Sequence, residues 1–564
     1  MDYVKMFSEW ISSHEDISAE EAAAEISVPQ ESAMGHYTFK CFKFAKRFGV
    51  TPQGLAEKFV ARPAAEWMEN ISAAGAYVNI FLNRSMFAEK TLADLHKKNA
   101  GYGGGNIGGG RVALVEYSSP NTAKHFHVGH LGSTIIGNAL YKIFKFVGYK
   151  TVGLNYIGDW GTSFGKLITA YLHWGDKAEI ERIGIDGLTK LYVRFHEEAD
   201  ADDTLNDEAR SWELKILSGD GQGLSLWQWF CDMSMKEYAR IYERLGVEFD
   251  VIRGESHYKN KLGEVVAELE KKGLLTESDG AKIVDLEDYK MPPVLILRRD
   301  GGTLYHTRDL AAAIDRREEY GFSICLIVTG SEQILYFNQM KKVLELMGHE
   351  WAADVEHIPY GLFVMEDGKY SSRRGNVIKM EDLLDEAVAK TLAIINEKNP
   401  ALSNKEDVAA QVGIGAVIFF KLYNNRIKDV NFSFEHVLNF DGETGPYVQY
   451  AHARACSVLE KGGNFSADDA IAGKNLADDE SFAVLRLLHK FPDAVAEAAN
   501  KREPFLVSRH LVALAQAFNR FYHNRTVLTD EPELRAARLS LTHAVKTVLS
   551  NGLGLLGMAA PKKM

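Results

Sequence analysis

Cysteine is scarce. Four residues, Cys41, Cys231, Cys325 and Cys456, are scattered through 564 positions, with no Cys-x-x-Cys pair and no histidine at ligand spacing. That scatter argues against a disulfide framework or a zinc site and predicts reduced, mostly buried thiols; no metal ligand set is expected. Long apolar runs are missing too. None reaches the roughly 18 residues of a bilayer span, so no membrane partner is expected. The opening Met1-Asp-Tyr-Val-Lys-Met-Phe-Ser-Glu-Trp lacks the basic-then-apolar order of a secretory signal and the Arg-rich look of a transit peptide, which predicts a cytoplasmic location. An excess of positive charge is absent as well. The formal net charge of −12 argues against a chain that coats nucleic acid indiscriminately, and leaves room for a local basic surface. No internal repeat is visible.

An apolar fraction of 46% and a charged fraction of 25% are those of a soluble globular protein, and the length implies about three or four domains. Residues 1–100 alternate helical stretches (Ala19–Ile26, Tyr37–Phe48) with a strand candidate at 76–82, an α+β pattern. The glycine tract 101–110 reads as a flexible linker. As a phosphate loop it is in the wrong place, ahead of a strand, and it lacks a terminal Lys-Ser/Thr. From 111 to 380 strands alternate with helices as in a Rossmann-type parallel sheet: Val112–Tyr117, Lys150–Ile157 and Phe322–Gly330. A charged helical insertion is expected at about 178–290. Residues 381–441 read as a connecting helical segment and 442–564 as an all-α bundle, with strands gone past about Met380. The bundle carries 15 Lys and Arg against 13 Asp and Glu, so the positive balance of the chain sits there.

Two segments carry chemistry. The strand ending at Glu116 runs into Tyr-Ser-Ser-Pro-Asn121-Thr-Ala-Lys124-His-Phe-His127-Val-Gly129-His130 and then a helix. A His-x-Gly-His at a strand-to-helix turn can set two imidazoles beside triphosphate oxygens, with Gly129 admitting a close approach and Lys124 adding a mobile charge. The second segment, Asp367-Gly-Lys369-Tyr-Ser371-Ser372-Arg373-Arg374-Gly, offers cations and short donors for a polyphosphate. Across one sheet, the two loops would stabilise the charge that builds as pyrophosphate leaves.

This pairing resembles the class I aminoacyl-tRNA synthetases, and within them the arginyl-tRNA synthetases. The similarity runs through Glu116–Asn121, Phe126–Leu131, Ser133–Gly137, Gly158-Asp-Trp-Gly, Leu245–Ser256, Leu304-Tyr-His-Thr-Arg-Asp-Leu-Ala, Gly330-Ser-Glu-Gln, Asp441–Arg454 and Leu556–Met564. It spans nearly the whole chain. The resemblance implies an arginine–tRNA ligase that uses ATP with Mg2+, takes L-arginine and tRNA(Arg), and acts as a monomer. ATP contacts fall on His127, Gly129, His130, Lys369, Ser371, Ser372 and Arg373, with Lys124, His127, His130 and Lys369 stabilising the transition state. The arginine pocket falls on Glu116, Asn121, Tyr305, Asp309 and Gln333. A guanidinium is a planar five-donor fork that asks for carboxylates, and Glu116 and Asp309 supply them. Residues 1–100 correspond to the family's extra tRNA-contacting domain.

In the bundle, Tyr447, Arg454, Tyr522 and Arg525 are the candidates for holding unpaired anticodon bases, which stack on aromatic rings and guanidinium planes. Blander readings stand beside these. Asp309 opens a helical stretch and could be a cap, Glu116 could pair with a neighbouring base, and most bundle aromatics could be core. The sequence departs from the family at four places: His125 for a usual proline, Gly132 for a common arginine, Tyr370 for methionine and Ser372 for the second lysine. A small-molecule adenylyl- or cytidylyltransferase also carries His-x-Gly-His, and an RNA-binding paralogue without catalysis would keep the bundle; both alternatives stay open at this point.

Overall fold

Five short strands, β1 (Val112–Glu116), β2 (Lys150–Ile157), β3 (Val251–Gly254), β4 (Ile324–Gly330) and β5 (Val355–Tyr360), form one all-parallel sheet in the order β5-β4-β1-β2-β3. Parallel strands are covered on both faces by their crossover helices, so they read as nearly continuous apolar runs. Leu114, Leu154, Leu326 and Val328 are fully buried. The chain runs outward one way from β1 through β2 to β3, and the other way from β4 to β5. The order therefore reverses between β1 and β4, and the crevice beyond their carboxyl ends is where ligands bind in open α/β sheets.

The computed structural model describes residues 2–365, 378–463 and 472–564. They fall into two compact units. The unit with the parallel sheet comprises Gly103–Ala453, Pro492–Val512 and Leu549–Met564. Helix α1 (Leu131–Phe146) crosses from β1 to β2, and helices between Thr162 and Leu245 fill the interval between β2 and β3 around Phe164, Leu188, Phe195 and Trp212. The stretch after 245, read from the sequence as helical insertion, differs. It contributes β3 to the main sheet and then a small antiparallel sheet, Thr276–Ser278, Ala281–Val284 and Val294–Leu297, ahead of helix α2 (Tyr305–Tyr320). Strands of three or four residues are too short to show a period of two against charged surroundings. Strands also persist past Met380: Val430–Phe432 pairs in parallel with Phe363–Met365.

The Gly-rich tract 101–110 is docked, not free as expected of a linker. Gly105, Gly108 and Gly110 N–H groups donate to Phe146, Val147 and Gly148 carbonyls at 3.3, 2.9 and 2.9 Å. Its glycines let the backbone lie against the end of α1, where those carbonyls need partners.

The second unit comprises Met1–Tyr102, Arg454–Phe491 and Ala513–Val548. Its antiparallel sheet runs Ile26–Ser27, Tyr37–Lys40, Tyr77–Leu82, Met68–Ala74. The helix expected at Tyr37–Phe48 is in fact a strand followed by turns, because Tyr-Thr-Phe-Lys is β-favouring and pairs with Tyr77–Ile80. Phe7, Phe39, Phe59 and Phe87 form its core. Arg84 ties the sheet to the helix Asp479–Lys501 through Asp479 at 2.7 Å and the Phe482 ring at 4.8 Å. Elsewhere the expected C-terminal helices are present, each a few residues longer than the periodicity indicated except Lys405–Tyr423, which ends before the expected Lys428.

Candidate active site

Directly after β1 the backbone turns through three left-handed non-glycine residues, Ser118 (φ 72°), Ser119 (φ 48°) and Ala123 (φ 62°). Each such residue costs roughly 1 kcal/mol or more, so the turn persists only where its surroundings over-determine it. Here a buried network does so. Ser118 N–H donates to Ser133 Oγ at 3.0 Å, Thr134 Oγ1 to Ser118 Oγ at 3.0 Å, and Ser119 N–H to Asn155 Oδ1 at 3.1 Å; Tyr242 OH sits 2.8 Å from Ser118 Oγ. The strain aims the carboxyl end of β1 into the crevice.

A cavity of about 180 Å³ opens there. All five residues expected of the amino-acid pocket, Glu116, Asn121, Tyr305, Asp309 and Gln333, line it. Sequence reasoning missed several others that line it or complete its ion pairs. Glu116 forms a buried ion pair with Arg316, and Glu255 pairs with Arg308. Asp309 accepts the Tyr336 hydroxyl and, among the described residues, makes no ion pair, with Arg316 and Arg308 acting on it only from farther off. Nor is Asp309 a helix cap, since it lies in the second turn of α2, whose N-cap is Leu304. Glu116 pairs with a base, Arg316, and also lines the cavity.

Burial pushes the carboxyls upward. Desolvation raises Glu116, countered by Arg316, and raises Asp309, countered by the Tyr336 hydrogen bond. Glu255 is pushed up to about 7, chiefly by burial, despite Arg308. A cation bound there would draw these carboxyls back down.

The histidine turn is locally closed. Gly129 N–H donates to His127 Nδ1 at 3.1 Å, and His127 N–H to His130 Nδ1 at 3.2 Å. The rings lie 4.0 Å apart between centroids. Burial, then nearby positive charge including Lys124, lowers His127; burial together with His127 takes His130 down to about 3. Both rings are neutral at pH 7, and because each Nδ1 accepts, each Nε2 carries hydrogen. The turn thus presents two neutral donors. The constraint on Gly129 is internal: a Cβ there would stand 2.7 Å from His127 Cε1. Lys124 is exposed beside the turn.

Lys369, Ser371, Ser372 and Arg373, with Tyr370 and Arg374, lie outside the described residues. The chain leaving that segment does meet the histidine turn. Val128 N–H donates to Ile378 O at 3.2 Å, Met380 N–H to Phe126 O at 2.9 Å, and His127 faces Lys379 in an antiparallel bridge. Lys379 continues to Asp186 at 2.7 Å. The departure at His125 also finds its reason here, for its ring sits 3.0 Å from Asp186 and 3.7 Å from Glu237, two acids of the insertion helices.

Of the RNA candidates, Arg454 stacks over the Tyr522 ring at 5.2 Å and donates to Asn519. Tyr522 is 42% exposed, enough to offer a ring face. Arg525 is compensated by Glu480 at 2.7 Å and Asp478 at 3.3 Å. Tyr447 lies half-buried in the first turn of the helix Gly445–Gly462.

A crevice at the sheet's switch point, with a His-x-Gly-His turn on one flank, is the arrangement of a class I aminoacyl-tRNA synthetase. Residues 95–434 match the family model for tRNA synthetases class I (R), catalytic domain; residues 3–82 match the arginyl tRNA synthetase N terminal domain, and 448–564 the DALR anticodon binding domain. The chain belongs to the arginyl-tRNA synthetase family. It is 48% identical over 565 residues to the arginine–tRNA ligase of Alkaliphilus metalliredigens, covering 100% of both chains, and 49% identical over 552 residues to that of Clostridioides difficile, covering 98% of this chain and 97% of the other. Among solved structures, Thermus thermophilus arginyl-tRNA synthetase superposes with a TM-score of 0.80 at 26% identity, over 96% of each chain. The Plasmodium falciparum enzyme shares the fold, with a TM-score of 0.79 at 23% identity over 100% of this chain and 98% of that one.

Proposed function

We propose that the crevice joins L-arginine to Mg-ATP and passes the arginyl group to the 3'-terminal ribose of tRNA(Arg) in the cytoplasm. One observation carries the amino-acid assignment: Glu116, Glu255 and Asp309 line one cavity, and while Glu116 and Glu255 are ion-paired with Arg316 and Arg308, Asp309 makes no ion pair among the described residues. A substrate guanidinium would give Asp309 the ion pair that its two neighbours already have. Lysine would bring a point charge that cannot fork, and citrulline no charge, so both are rejected without an editing step.

In the first step an oxygen of the arginine carboxylate attacks the α-phosphorus and the bond to pyrophosphate breaks. His127 and His130 offer Nε2–H donors to the phosphate oxygens, and Lys124 follows the charge as it moves to the leaving group. Lys369, Ser371, Ser372 and Arg373 are proposed to close over the same phosphates, and Gly129 to give the nucleotide close access. Magnesium, an oxygen-seeking ion, would come with the triphosphate as part of the substrate and offset part of its charge. In the second step a ribose hydroxyl attacks the arginyl carbonyl and AMP leaves; no covalent enzyme intermediate is needed. Asn121, Tyr305 and Gln333 are proposed to hold the amino acid. Residues 1–100 and 442–564 are proposed to hold the tRNA, with Tyr447, Arg454, Tyr522 and Arg525 at the anticodon.

Arginine-dependent ATP–pyrophosphate exchange, run with and without tRNA(Arg), tests this reading. Exchange with arginine and none with lysine or citrulline is the expected result. No exchange under either condition, with RNA binding intact, would sink it in favour of a paralogue without catalysis.

A further inference from the structure

Gly132 is the second residue of α1, the helix that follows the histidine turn. Glycine inside a helix costs about 1 kcal/mol relative to alanine, so its presence needs a reason. The structure supplies one from the far side of the sheet. A Cβ on Gly132 would stand 2.5 Å from Cε2 and 2.6 Å from Cδ2 of Tyr360, the last residue of β5. The tyrosine ring occupies the space that any side chain at 132 would need.

The ring is there for its hydroxyl. Tyr360 OH donates to the Gly129 carbonyl at 3.4 Å. Tyr360 thus reaches from β5 to the carbonyl of a turn residue. It is itself held from behind. Buried Lys421 donates to Gly361 O at 2.9 Å, and Gly361 N–H donates to Arg426 O at 2.9 Å, fixing the residue next to it.

We propose that Tyr360 is a positioning residue of the adenylation step: its hydroxyl fixes the Gly129 carbonyl, and with it the two imidazole donors. Gly132 is the accommodation that admits the ring, so the glycine and the tyrosine are one device. The proposal rests on the histidine turn being the ATP site.

A double-substitution cycle tests it, read in ATP–pyrophosphate exchange with kcat and the KM for ATP and arginine measured separately. Exchange by the unaltered protein checks the ATP-site reading on its own, before any variant is compared. Gly132→Ala should overpack the ring and lower kcat/KM for ATP by about tenfold to a hundredfold. Tyr360→Phe, which keeps the ring and loses only the hydroxyl, should lower it by about threefold to tenfold. The KM for arginine should stay within about twofold in both, since no cavity contact is touched. The deciding result is Gly132→Ala placed on Tyr360→Ala, where the added methyl should cost almost nothing further because the ring is gone. Equal penalties for Gly132→Ala in the two backgrounds would overturn the proposal. So would a Tyr360→Phe enzyme with unchanged kcat and ATP KM, or a parallel rise in both KM values, the mark of general loosening. Should Gly132→Ala fail to fold, Tyr360→Phe and Tyr360→Ala decide on the same split between ATP and arginine.

Discussion

The two halves of the crevice are built on opposite plans. The histidine turn is one short segment whose side chains are satisfied by its own backbone: Gly129 N–H to His127, His127 N–H to His130. The cavity beside it draws Glu116 from the end of β1, Glu255 from the end of β3, and Asp309 and Arg316 from α2; ion pairs between distant residues hold it together. The turn presents neutral donors of the kind that suit an anion. The pocket gathers carboxyls, of the kind that suit a cation. A local motif can be rigid without help, whereas a buried charge must borrow its counter-charge from elsewhere in the fold.

The largest effect that can break this contrast comes from Asp309. On the proposed reading, replacing it with asparagine removes the carboxylate offered to the substrate guanidinium, at a cost of about 3 kcal/mol or more. We expect kcat/KM for arginine to fall by at least about a hundredfold, with the KM for ATP within about threefold. Equal losses on both substrates in exchange assays would show that Asp309 supports the whole crevice and not the pocket.

Next in size is the turn. His130→Asn shortens the side chain and withdraws one preset donor, for which about 10²-fold in kcat is expected from the usual worth of such donors, with little change in the arginine KM. The mirror image of the Asp309 result is the point. A rise in arginine KM of similar size would erase the boundary drawn between the two halves.

A third difference lies in protons. Arginine binding should expel protons from the cavity near neutrality, because Glu255 titrates at about 7 and an added guanidinium pulls it down. Calorimetry in buffers of different ionisation enthalpy should register this release, and arginine affinity should rise with pH through 7. Glu255→Gln should flatten the rise to within about twofold. ATP binding should show no comparable uptake at the turn, where His130 sits near 3. A pH-independent arginine affinity would count against the protonated pocket.

How much of this was legible beforehand follows the same division. The turn could be read because its chemistry lies in consecutive letters, from Glu116 to His130, and β2 stands where its apolar run placed it, at Lys150–Ile157. The five pocket residues were reached only through motif order along the chain. Their partners were not reached: Arg316 and Glu116 are 200 residues apart in sequence, Arg308 and Glu255 are 53 apart, and no periodicity links them. β3, four residues reading Val-Ile-Arg-Gly, carries no pattern of its own and is recruited by pairing with β2. Gly132 read as a defect in the sequence, because the ring that explains it arrives from residue 360.

The smallest expected effect is on stability, where the two halves should respond to acid with opposite signs. His130 is lowered from 6.5 to about 3, so its neutral burial contributes fully above pH 6.5 and is lost as pH falls toward 3, when the unfolded chain takes the proton first. At pH 5 that amounts to about 2 kcal/mol. Glu255 is raised from 4.5 to about 7, so its contribution is full below pH 4.5 and lost as pH rises toward 7. Urea unfolding at pH 5 and pH 7.5 should therefore show His130→Asn losing less stability than the unaltered protein on acidification, and Glu255→Gln losing more. Both variants shifting in the same direction would mean that the unequal protonation of turn and pocket is not what divides them.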